Sequence, residues 1–188
     1  MKKESNIYSI GITPTDKNCP AGEKTGGMYL KQGKIPVLSC EGACIRGEIS
    51  RLAAHMVAKE EPYRRGCNGE LLTVPGSALT QWITSAEKIV LIDGCFLHCY
   101  GRILENLLGK EKLAIFDALS YYRKYTEHFD IDEVPEVQRR ETAKMVADAV
   151  LAKLQRTNSR STKTCAETAC EGSASAASAS AKGTGCGS

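Results

Sequence analysis

Lys88-Ile-Val-Leu-Ile-Asp93-Gly94-Cys95-Phe-Leu-His98-Cys99-Tyr-Gly-Arg102 is the stretch on which the fold turns. An apolar run stops at Asp93-Gly94 and gives way to two cysteines four apart, after which Ile103, Leu104, Leu107 and Leu108 follow at helical spacing. The pattern reads as strand, tight turn, helix. Cysteines at i and i+4 of a helix start share one face, where free N–H groups and the positive end of the dipole favour a thiolate over a thiol. Two such sulfurs can bind a soft metal ion or form a dithiol/disulfide pair.

The same design stands upstream. Ile35-Pro-Val-Leu-Ser39 ends in Cys40-Glu-Gly-Ala-Cys44, and beyond it Ile49, Leu52, Ala53, Met56 and Val57 mark an amphipathic helix ending near Pro62. Tyr63 to Gly69, with Cys67, reads as a turn-rich connection. Leu71 to Val74 is a third short apolar run closed by Pro75-Gly76, and Leu79, Trp82, Ile83 and Ala86 mark a short helix. Leu113 to Phe116 reads as a fourth strand, and residues 117–132, rich in aromatics without a clean period, as an ordered loop. A last helix is expected from Asp132 or Glu133, burying Ala143, Val146, Ala147, Val150, Leu151 and Leu154.

Strands alternating with helices point to the α/β class: a single-domain, three-layer α/β/α sandwich with a mostly parallel sheet, flavodoxin/Rossmann-like. Loops after parallel strands gather at the carboxyl ends, so the two Cys-x-x-x-Cys loops should face each other at one edge of the sheet. Residues 1–34 read as an N-terminal segment, 35–155 as the metal-binding domain, and 156–188 as a tail of Ser, Ala and Gly too poor in apolar residues to order itself. That tail carries Cys165, Cys170 and Cys186, flexible thiols suited to capturing and delivering ions.

Composition narrows the function. The net charge is +3, from 25 basic and 22 acidic residues, and no basic run is interleaved with aromatics, so nucleic acid is not the expected partner. Met1-Lys-Lys leads into polar residues and no apolar run approaches the roughly 20 needed to span a bilayer, so no membrane association and a cytoplasmic location are expected. Nine cysteines in a reducing compartment suggest metal binding or redox chemistry rather than a disulfide framework. Gly22-Glu-Lys-Thr-Gly-Gly27 is not a phosphate loop, because it lacks the glycine before its lysine and a leading strand.

Smaller roles fall to neighbours. Asp93 is expected to turn the chain and cap the next helix, and His98 to point away from the flanking thiols. His55 and His128 read as structural, and Cys19 as a free thiol or mobile extra ligand.

Ser39-Cys40-Glu-Gly-Ala-Cys44-Ile-Arg-Gly47, then Gly66-Cys67-Asn-Gly69, then Ile92-Asp93-Gly94-Cys95-Phe-Leu-His-Cys99 together resemble the DGC domain family, over approximately residues 35–155. The resemblance implies a zinc-binding protein with Cys40, Cys67, Cys95 and Cys99 as ligands. Cys44 is a departure, since many relatives carry a small polar residue there. The candidate metal set is therefore Cys40, Cys44, Cys67, Cys95 and Cys99, with zinc as the expected ion, in a binding, sensing or trafficking role. Two alternatives stand beside it: an arsenite-type metalloid or iron–sulfur site, and a thiol enzyme, oxidoreductase or sulfur transferase, using Cys95 and Cys99.

Overall fold

A computed structural model describes residues 9, 11–13, 15 and 17–170. Four strands, β1 (Ile35–Ser39), β2 (Tyr63–Arg65), β3 (Ile89–Asp93) and β4 (Leu113–Asp117), form one sheet in the order β2-β1-β3-β4. Every pairing is parallel, with Leu38 opposite Leu91 and Ile92 opposite Phe116. Parallel neighbours need a crossover, and these are helical: α2 (Ile45–Val57) joins β1 to β2, α3 (Asn68–Thr73) and α4 (Ala78–Ser85) join β2 to β3, and α5 (Cys99–Leu108) joins β3 to β4.

Side chains alternate across the sheet, and each face is covered. Leu38, Ile89 and Leu91 pack with Leu71, Leu79, Trp82, Ile83 and Leu104 of α3, α4 and α5. On the other face Val37, Val90 and Ile92 are fully buried, and α2 lies against β1 and β3. The result is the three-layer α/β fold read from the alternation of elements.

Several local readings change. The second strand is Tyr63–Arg65, where a turn-rich connection was read, and the apolar run at Leu71 belongs to helix α3. β2 is a three-residue edge strand with one buried side chain, so it carries no apolar run. Residues 20–31 form a helix, α1 (Pro20–Lys31), that no apolar period announces. Its buried positions are Gly22 and Gly26, and a Cβ on Gly26 would sit 2.3 Å from the Leu79 backbone nitrogen. The packed face of α1 is therefore made of glycine. Tyr29 packs against Trp82 in a tilted pair, with ring centroids 4.9 Å and ring planes 59° apart.

After β4, a short helix α6 (Leu119–Tyr122) stands in the expected loop, and α7 (Glu136–Cys170) follows a single 3-10 turn at Ile131–Glu133. Ala143, Val146, Ala147 and Val150 are its buried stripe. The compact α/β unit ends at Leu151, and the helix continues through Cys170, because no glycine or proline interrupts the chain before Gly172. Of the expected disordered tail, residues 171–188, with Cys186, lie outside the described residues. No helix among the described residues is long and apolar enough to cross a membrane.

Candidate functional site

The central strands β1 and β3 are neighbours whose onward connections leave in opposite directions, to β2 and to β4. At such a switch point the loops after the strands splay apart and leave a crevice. Here they are the two cysteine loops, and they face each other across the middle of the sheet's carboxyl end.

The first loop is bound at many points. The Cys40 N–H donates to Ile92 O at 2.9 Å, and the Cys40 carbonyl accepts from Ser50 Oγ at 3.3 Å. The Gly42 N–H donates to Cys40 Sγ at 3.3 Å, and only 9% of Cys40 is exposed. A Cβ on Gly47 would fall 2.1 Å from Gly42 O, so this turn can fold onto α2 only with glycine there. Period-two alternation continues past the strand and sets Cys40 on the same face as Leu38 and Leu91, toward α5. Burial pushes the Cys40 thiol up, as do the nearby Asp93 and Cys99, against the pull of the Gly42 and Gly94 N–H groups.

Cys44 differs. It occupies the N-cap of α2 and is half-buried, with no capping hydrogen bond of ordinary geometry as a neutral thiol. Burial opposes its ionisation, but the Gly47 N–H and the Arg46 guanidinium and N–H outweigh it, and the thiol is held low.

The second loop is fixed at its root. A Cβ on Gly94 would meet Arg46 C and O at 2.9 Å, which is why glycine follows Asp93. Asp93, 1% exposed, accepts the Gly101 N–H at 2.9 Å, so it does cap α5, from across the turn. Burial pushes its carboxyl up, partly offset by that bond and by His98. Beyond Cys95 the loop opens: Phe96 is 67% exposed and Leu97 51%, and His98 sits in the left-handed region at φ 46°. His98 Nδ1 lies 3.6 Å from Asp93 Oδ2. Helix α5 begins only at Cys99, so Cys95 and Cys99 do not share a helix face as their spacing suggested.

Cys67 enters from the third loop as the exposed N-cap of α3. A polar network ties that loop to the first. Arg65 donates to Ser39 Oγ and Glu41 Oε1, each at 2.6 Å, and Asn68 donates to Ser39 O at 2.6 Å. Tyr100, near the start of α5, is held protonated by burial and by Glu41, Cys40, Asp93 and Cys67 around it.

Three adjacent strands thus deliver the five thiols to one end of the sheet. Cys40 and Cys99 lie within electrostatic reach of each other, as Cys44 and Cys95 both do of Arg46. The donors suit a soft ion. Thiolates are donors zinc takes, but among the described residues no three His, Cys, Asp or Glu side chains converge closely enough to hold an ion. Arg46, Arg65, Tyr100 and Tyr122 escaped the sequence reading. Arg46 had a signal, since a cation in the first turn of a helix opposes the dipole.

A family model described as the DGC domain matches residues 36–141. No curated protein and no solved structure matches the chain.

Proposed function

The chain belongs to the DGC domain family, and from that premise we propose that it binds a thiophilic metal ion, zinc first, through thiolates of the loops after β1, β2 and β3. The observation that carries this reading is the delivery of Cys40 and Cys44, Cys67, and Cys95 and Cys99 to one end of one sheet by three adjacent strands. The first loop is the preformed half of the site. The second closes onto it, bringing Cys99 toward Cys40, and Cys67 completes the set from the β2–α3 turn.

A tetrahedral zinc takes four ligands with sulfur at roughly 2.3 Å, so one of the five thiols is surplus. Cys44, held by Arg46 and the α2 N-terminus, is that one. A site that closes on binding, with a spare thiolate at its rim, suits sensing or trafficking in the cytoplasm better than a permanent structural role, because exchange needs a mobile donor. A trivalent metalloid needs only three thiolates and competes for the same crevice.

Cobalt(II) titration of reduced, metal-free protein tests this. The expected result is an intense thiolate-to-metal charge-transfer band saturating at one equivalent, weakened in Cys67→Ser and little changed in Cys44→Ser. Absence of the band in the parent chain overturns the reading.

A further inference from the structure

The two edges of the sheet are built differently. At one edge β2 is three residues long, follows Pro62 and carries Arg64 and Arg65, with Arg64 and Lys34 both ion-paired to Glu61. A short, charged strand beside a proline is how a sheet edge avoids pairing with another chain. At the other edge β4 has none of this protection. It runs five residues, Leu113-Ala-Ile-Phe-Asp117, with no proline and no charge before its last position. Each of them is only half-buried, while all five residues of β3 are buried.

The ladder shows which backbone groups of β4 are unused. The Ala118 N–H donates to Asp93 O at 2.8 Å, and Asp93 stands opposite Asp117 in the parallel register. By alternation Ala114 and Phe116 also turn their backbone groups to β3, and Leu113, Ile115 and Asp117 turn theirs outward. Of the outward groups, the Leu113 N–H already donates to Lys110 O, and Asp117 O already accepts from Ser120 Oγ at 2.7 Å. Among the described residues this leaves the Ile115 N–H and carbonyl, the Asp117 N–H and the Leu113 carbonyl without partners.

That pattern is its own complement. We infer that β4 pairs antiparallel with β4 of a second copy of this chain, about a two-fold axis at Ile115, making one continuous sheet of both copies. In that register each Ile115 exchanges both bonds with its equivalent, and each Asp117 N–H meets the other copy's Leu113 carbonyl. The two groups already used, the Leu113 N–H and Asp117 O, are the ones that face each other. Ala114 comes opposite Phe116, small against large, and Lys112 comes beside Asp117 at each end, where parallel pairing would set like charges together. On the α5 side the edge borders a cleft of about 650 Å³ floored by Leu113 and Ile115 and walled by the exposed Phe96 and Leu97. The two-fold axis sets two such clefts side by side, so pairing covers apolar surface as well as backbone. Both β4 edges are then consumed and the β2 edges are protected, so assembly closes at the dimer. No thiol takes part, and the pairing does not rest on metal binding.

Sedimentation equilibrium of the full chain tests this, in reductant and chelator so that neither disulfides nor bridging ions hold copies together. The parent chain should rise with concentration to twice the chain mass and no further. Ile115→Pro removes a donor from each side of the interchain ladder and none from the β3 ladder, since a proline whose nitrogen faces outward is tolerated in an edge strand. It should weaken the dimer about tenfold or more while the chain stays folded by circular dichroism. Hydrogen exchange gives a second reading: the Ile115 and Asp117 amides should exchange about tenfold slower or more in concentrated than in dilute parent protein. A chain that stays monomeric up to about 1 mM overturns the inference and leaves the β4 edge to a different strand. A dimer equally tight in Ile115→Pro overturns it, as does exchange at Ile115 and Asp117 that concentration leaves unchanged. Should Ile115→Pro not fold, the exchange result alone decides.

Discussion

Cys40 and Cys95 begin loops of identical cysteine spacing at the ends of neighbouring strands, yet the first loop is bonded to other elements along its length, while the second is bonded chiefly at its root and closes on itself where the His98 N–H donates to the Cys95 carbonyl at 3.0 Å. Cys40 is locked by its N–H on the Ile92 carbonyl, by its carbonyl accepting from the Ser50 hydroxyl, and by the glycine contact between positions 42 and 47. The other loop is held by Gly94 against α2 and by Asp93 on Gly101, after which Phe96 and Leu97 stand in solvent. The difference teaches that one spacing can build two kinds of loop: a bonded platform and an exposed flap. On the proposed reading a site built from both is half preorganised, so binding would need to supply only the placement of the flap.

The comparison breaks most sharply at Gly47. Gly47→Ala puts a methyl 2.1 Å from the Gly42 carbonyl, backbone that cannot step aside, so the platform must unfold or shift. A loss of about 3 kcal/mol is expected in urea melts. Next comes the root of the flap. Asp93→Ala leaves the Gly101 N–H without its acceptor inside the protein and should cost about 2 kcal/mol by the same measurement.

Thiol chemistry sharpens the contrast within the platform itself. Cys44 is held low by Arg46 and the α2 N-terminus, while burial holds Cys40 up. The Cys44 thiolate therefore populates at lower pH, and as pH rises it reacts first. In metal-free protein, iodoacetamide near neutral pH should label Cys44 at least about tenfold faster than Cys40, read by peptide mass spectrometry. The smallest effect belongs to the flap tip: Phe96→Ser, at a side chain two-thirds exposed, should change stability by less than about 0.5 kcal/mol in the same urea melts.

The central strands were legible because strands buried on both faces must be continuous apolar runs, and Ile35–Ser39 and Ile89–Asp93 are such runs. Strand β2 was not, because an edge strand of Tyr63, Arg64 and Arg65 serves mainly to carry a guanidinium into the Ser39–Glu41 network. Helix α1 hid for the opposite reason: its packing face is glycine, and its N-cap is Cys19, whose sulfur accepts the Gly22 N–H at 3.4 Å. That the cysteine loops share one end of the sheet could be read from their spacing, since loops after parallel strands collect there. Their unequal anchoring could not, because it depends on contacts such as Gly47 with Gly42 and Gly94 with Arg46 that join residues distant in sequence or unremarkable in type.

The most direct measurement is elemental analysis of the full chain, purified anaerobically without added metal, beside a Cys95→Ser, Cys99→Ser double variant. About one zinc per chain, lost in the double variant while its fold persists by circular dichroism, is the predicted result. No metal in either sample, or zinc retained undiminished without the flap thiols, would contradict the two-loop site.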